Sequence, residues 1–190
     1  MAQCIAYNCN ALEDHTVNDC GETMKGGGRE SLVFTCDSTT LAANDFDNDT
    51  LINADIASGK AVLFQEIKIG IGAPSPVDQG LTYIAGNQPK TVTYDWTGTW
   101  MDENVSAVND SAYEVINATS GFQAGAILIK LADEATNGQL IIPSSGGILF
   151  KGGTVIPDDN TDDVHYEYNL SYKSTESPKV QTLPTGIFSS

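Results

Sequence analysis

The chain has 190 residues and is 41% apolar, which suits one domain with an ordinary core and argues against wholesale disorder. Nine Lys and Arg stand against 25 Asp and Glu, a formal charge of −16, which excludes binding by attraction to a nucleic-acid backbone or an anionic membrane surface. No run approaches the roughly 20 apolar residues of a membrane helix. The start, Met1-Ala2-Gln3-Cys4-Ile5, lacks the basic-then-apolar pattern of a secretory leader, so synthesis in the cytoplasm is the expectation.

All four cysteines fall early, at Cys4, Cys9, Cys20 and Cys36. None forms the closely spaced C-x-x-C pair of a zinc ribbon, so two disulfides, unpaired thiols, and a zinc site with His15 as substitute ligand stay open. Residues 1–36 read as a cysteine-containing arm or subdomain. Gly26-Gly27-Gly28 is a turn without the Lys-Ser/Thr ending of a phosphate loop. Ser31–Thr35 reads as a first strand, and the polar stretch 37–59 as a loop followed by a short helix.

Ala61–Ile71 is a strong strand, with Ile67, Ile69 and Ile71 alternating against Glu66, Lys68 and Gly70. Pro74 and Pro76 end it and open an excursion to residue 90 that contains Leu81, Tyr83 and Ile84. Thr91–Thr97 alternates again, placing Val92, Tyr94 and Trp96 on one face. The period then changes: Val105, Val108, Ala112, Val115 and Ile116 share a helix face, predicting a helix over 102–119 with Asp102 as its cap and Gly121 beyond its end.

Ala126–Leu131 and Gln139–Ile142 flank Asn137-Gly138, a hairpin-turn signal. Gly147–Lys151 and Thr154–Ile156 add one or two short strands, followed by an acidic turn over 157–163. Val164–Lys173 then alternates without a slip. Val164, Tyr166, Tyr168, Leu170 and Tyr172 share one face, and His165, Glu167, Asn169, Ser171 and Lys173 the other. The tail 174–190, with Pro178 and Pro184, reads as an extended arm. The expected fold is mainly β: an antiparallel sandwich or barrel of about eight strands over 37–173, with one flanking helix and extended terminal arms.

Candidate chemistry is sparse. There is no Gly-x-Ser-x-Gly elbow and no His-Glu-x-x-His. Asp45-Phe46-Asp47-Asn48-Asp49 opens like a calcium loop, but the positions that need Gly and Glu hold Thr50 and Ile56. His165 sits on a polar strand face, the place of a surface residue. Tyr94, Trp96 and Trp100 suit either a sugar platform or a core. The residues therefore predict a protein that builds surfaces, with no catalytic residue, no cofactor and no metal beyond the open cysteine question.

From Ala61 onward the order of elements resembles the major tail tube proteins of tailed bacteriophages. The order consists of the 61–71 strand, the Pro-rich excursion, the 92–96 strand, the helix, the Asn137-Gly138 hairpin and the 164–173 strand. The cysteine-rich front departs from that pattern. The resemblance implies a virion structural protein of the tail, not an enzyme. It would self-assemble into homo-hexameric rings stacked as an acidic-lumen conduit, through which DNA passes without specific binding, and would meet other tail proteins. It also implies assembly contacts at Pro74, Pro76, Leu81, Tyr83, Ile84, Pro178 and Pro184. The alternatives are a capsid decoration or head–tail connector protein, a cell-surface or pilus-like sandwich, and a carbohydrate-binding module.

Overall fold

The computed structural model describes residues 28–77, 93–118, 122–132, 134–158 and 163–188. The strands are β1 (Gly28–Phe34), β2 (Ala61–Ile71), β3 (Ser75–Val77), β4 (Thr93–Asp102), β5 (Phe122–Ala124), β6 (Ala126–Leu131), β7 (Asn137–Ile141), β8 (Ser145–Val155), β9 (His165–Ser174) and β10 (Lys179–Thr182). The helices are α1 (Thr39–Ala43), α2 (Asp49–Ala57) and α3 (Ala107–Ala118). The strands form one open antiparallel sheet in the order β10-β7-β6-β1-β2-β4-β9-β8-β5, with β3 on the outer part of β4.

β2 is the corner of this sheet. Ala61–Gln65 pair with β1 on one edge and Lys68–Ile71 with β4 on the other, and past a register shift Ile69 still lies opposite Gly28 of β1. Between them Glu66 takes a φ of 56°, a left-handed conformation that costs a non-glycine residue energy and marks a bulge. Phe64 and Ile67 both point inward across it, breaking the strict alternation. The corner folds the sheet over itself. Val33, Ile127, Ile129 and Ile141 from one half and Trp96, Trp100, Phe150, Tyr166, Tyr168, Leu170 and Tyr172 from the other therefore share a core.

A second core lies on the outer side of the β1-β6-β7 half. There Leu32, Phe34, Leu128 and Leu140 meet Phe46 and Ile52 of the α1–α2 region and Leu183 after β10. This explains why residues 126–129 are buried without alternation: both faces of that strand are covered.

α3 packs over the first core by polar as well as apolar contacts. Its Tyr113 ring stacks on Tyr166, with centroids 4.0 Å apart. The Tyr113 hydroxyl accepts from Trp100 Nε1 at 3.1 Å and donates to Asp102 Oδ2 at 2.8 Å. Tyr166 donates to Asp110 at 2.8 Å and Tyr168 to Asn117 at 2.7 Å.

Four expectations change. Asp102 is not a helix cap: it ends β4, is 3% exposed, and binds Tyr113 and the Asn104 N–H. The helix starts at Ala107, and the Ser106 hydroxyl accepts from Asn109 N, as a capping residue does. Asn137-Gly138 is not the hairpin turn. Both residues belong to β7, Gly138 lies opposite Lys130, and the connection is made by residues 132–136. The tail is no free arm, because β10 pairs with β7 and Leu183 is buried. The short helix expected within 37–59 is α2, and the change there is that α1 stands in place of the loop before it. Asp55, 1% exposed, accepts from Ser38 Oγ and from the N–H groups of Thr39 and Thr40, anchoring the start of α1. Among the described residues no helix is long and apolar enough to cross a membrane.

Candidate functional site

The two outer faces of the folded sheet differ. That of β1-β6-β7 lies under α1, α2 and Leu183. That of β2-β4-β9-β8 is bare among the described residues. Register places Gly70, Thr99, Asn169 and Lys151 in one row across the four strands, and Lys68, Met101, Glu167 and Gly153 in the next. Thr97 with Ser171, and Asp95 with Lys173, continue the face along β4 and β9. Lys68, Gly70, Thr97, Thr99, Lys151, Glu167, Asn169 and Lys173 are exposed. Period two explains the composition: each partner one step along the strand, such as Trp96, Trp100, Tyr168 or Leu170, is turned into the core.

This face is not acidic. Lys68, Lys151 and Lys173 stand against Asp95 and Glu167, and Lys173 lies 3.8 Å from Asp95. Lys68 pairs with Glu103 just past β4. At the upper end His165 lies 3.6 Å from Glu167, and its Nδ1 is 3.1 Å from the Asp163 carbonyl. The surface is thus mainly hydroxyl, amide and glycine backbone, with opposite charges interspersed.

At the β2 corner a groove of about 1660 Å³ borders the bare face. Its walls include Arg29, Glu66, Lys68, Asn104, Val105 and Asn109. It lies where β2 bulges at Glu66, between its main pairing with β1 and its pairing with β4. Among the described residues no group of three or more His, Cys, Asp or Glu is placed to hold a metal ion. The calcium-like run serves helix geometry instead. Asn48 caps α2 through Thr50 N and Leu51 N, Phe46 is buried, and Asp49 accepts from Thr185 N.

Of the residues named as assembly contacts, four are described. Pro74 is exposed between β2 and β3, and Pro76 lies in β3 opposite Tyr94. Pro178 is half-buried before β10, and Pro184 is buried beside Leu183. Leu81, Tyr83 and Ile84 lie outside the described residues, as do Cys4, Cys9, Cys20 and His15. Cys36 is an exposed free thiol, 3.9 Å from the Gln123 carbonyl. Trp96 and Trp100 are 7% and 0% exposed, so they form core and no sugar platform.

Two features escaped the residue-by-residue reading. One is the breadth of the bare face, which needs the strand order to be seen. The other is the exposed apolar pair Ile156 and Val180, 76% and 63% exposed, each unremarkable in sequence. The signal for the face was present in part: the polar half of the Val164–Lys173 alternation is its β9 row.

No protein-family model, no curated protein and no solved structure matches the chain.

Proposed function

We propose that this chain is a structural subunit of a virion, a tail tube protein whose copies close into rings and stack into a conduit for DNA. The observation that carries the reading is the bare four-strand face on an otherwise covered sheet. A face of Thr, Ser, Asn, Gly and interspersed opposite charges has little to bury, and it gives a long polyanion no cationic track to bind. Lining a water-filled bore with it leaves the apolar core and the covered outer face untouched.

The charge assignment differs from an acidic bore. In this reading the bore is near charge balance, and much of the excess acid sits on the helical side, where residues 37–58 contain Asp37, Asp45, Asp47, Asp49 and Asp55 and no Lys or Arg. The tube subunit acts by shape and by weak affinity for its cargo, with no bond made or broken.

The open sheet supports the same reading. A sheet that ends in strand edges offers backbone N–H and C=O groups to a neighbour, and repeated edge contacts build closed rings. Negative-stain electron microscopy of the purified chain over a concentration series tests the proposal. Rings or hollow tubes are the expected result. Small particles at every concentration would overturn self-assembly and shift the reading to a decoration or connector protein.

A further inference from the structure

Among the described residues, the two most exposed large apolar side chains lie toward opposite ends of the sheet. Val180, 63% exposed, is in β10, the outermost strand on one side. Ile156, 76% exposed, directly follows β8 near the other side. There β5 covers only Ile148–Phe150, so among the described residues Lys151–Val155 have no strand partner on the side away from β9. β10 likewise has a partner only in β7.

We infer that β10 of one copy adds to the Lys151–Val155 edge of β8 in a second copy, burying Val180 against Ile156. The occupant is a second copy because both halves of the contact belong to this chain and offer an exposed lysine and exposed carboxylates. Lys179, which within its own copy holds Glu176 at 2.6 Å, adjoins Val180, while Asp158 lies two residues beyond Ile156 and Asp163 two before β9, both exposed. The edges are different surfaces, so the contact is head-to-tail, and each copy keeps one edge free for the next until a ring closes. This interface rests on the tube reading and names its ring contact.

A zero-length carbodiimide cross-link, made on assembled protein mixed from ¹⁴N- and ¹⁵N-labelled copies, tests it. The expected product is a mixed-isotope peptide joining Lys179 to Asp158 or Asp163. Val180→Glu should lower the assembled fraction at least tenfold by sedimentation, with an unchanged circular dichroism spectrum. Tubes that form without the Lys179 cross-link, or a Val180→Glu chain that assembles like the parent, would overturn this interface alone. A parent chain that stays monomeric at every concentration would overturn the tube reading and the interface together.

Discussion

Asp55 is the clearest case of one residue organising its surroundings. It is almost fully buried with no cation beside it, yet three donors converge on it. Burial pushes its pKa up, but the Thr40 N–H, the Ser38 hydroxyl and the Thr39 N–H outweigh burial and hold it well below the usual carboxylate range. A carboxylate whose pKa is depressed by folding adds stability above its unfolded pKa, here near 3.8, and loses it as pH falls below that value. Asp55→Asn should therefore cost about 1–3 kcal/mol at pH 7. The gap between variant and parent should narrow below about pH 4, as the carboxyl of the unfolded parent chain takes up a proton while the folded one stays ionised. Urea midpoints at pH 7 and pH 3 check both statements. Tyr166 shifts the other way. Burial first, and then its hydrogen bond to Asp110, push its hydroxyl up to about 12, so it stays a neutral donor to α3 throughout the physiological range.

Among elements, the β6–β7 pair depends on contact too close for a side chain. A Cβ at Gly138 would lie 2.4 Å from the Ile129 carbonyl oxygen and 2.8 Å from Leu183. Gly138→Ala must push β7 off β6 or displace Leu183, at a cost of about 1–3 kcal/mol. Gly153→Ala on the bare face meets open space and should leave the melting temperature within a few degrees. Thermal unfolding of the two variants side by side measures the contrast. The same glycine explains a misread turn. Asn-Gly favours tight hairpin turns through positive φ, but here Gly is needed for the absence of a side chain, a requirement set by Ile129 and Leu183 and invisible in a local pattern. β9, and β2 from Ile67 onward, were legible because burial there alternates residue by residue, so periodicity reports directly on structure. β4 was cut short at Thr97. It runs on to Asp102, and Gly98 lets β2 approach, a Cβ there lying 2.6 Å from the Gly70 carbonyl oxygen. β10 was illegible because Lys179, Val180 and Thr182 are exposed and carry no inward face to pattern. The bare face was half legible: its β9 row was read correctly, but joining it to β2, β4 and β8 required non-local order.

For the whole molecule, the division of charge follows from the division of layers. The acidic stretch 37–58 supplies the helices over the β1-β6-β7 half, and the opposite outer face carries Lys68, Lys151 and Lys173. A subunit polarised in this way presents unlike surfaces to the inside and outside of any ring it enters.

The position of β1 has a consequence for how the chain reaches this state. β1 pairs on one side with its near neighbour β2, and on the other with β6, where Phe34 lies opposite Ala126 and Leu32 opposite Leu128. In a growing chain β2 follows β1 after the α1–α2 segment and β6 comes far later, so Leu32, Val33 and Phe34 keep an unpaired edge until it arrives. Such an edge is a template for the wrong chain as readily as for the right strand. Refolding from urea should be slow, as suits non-local pairing, and its yield should fall as protein concentration rises. Added short peptides of the β6 sequence should compete for that edge and lower the yield further. Light scattering during dilution would record both effects.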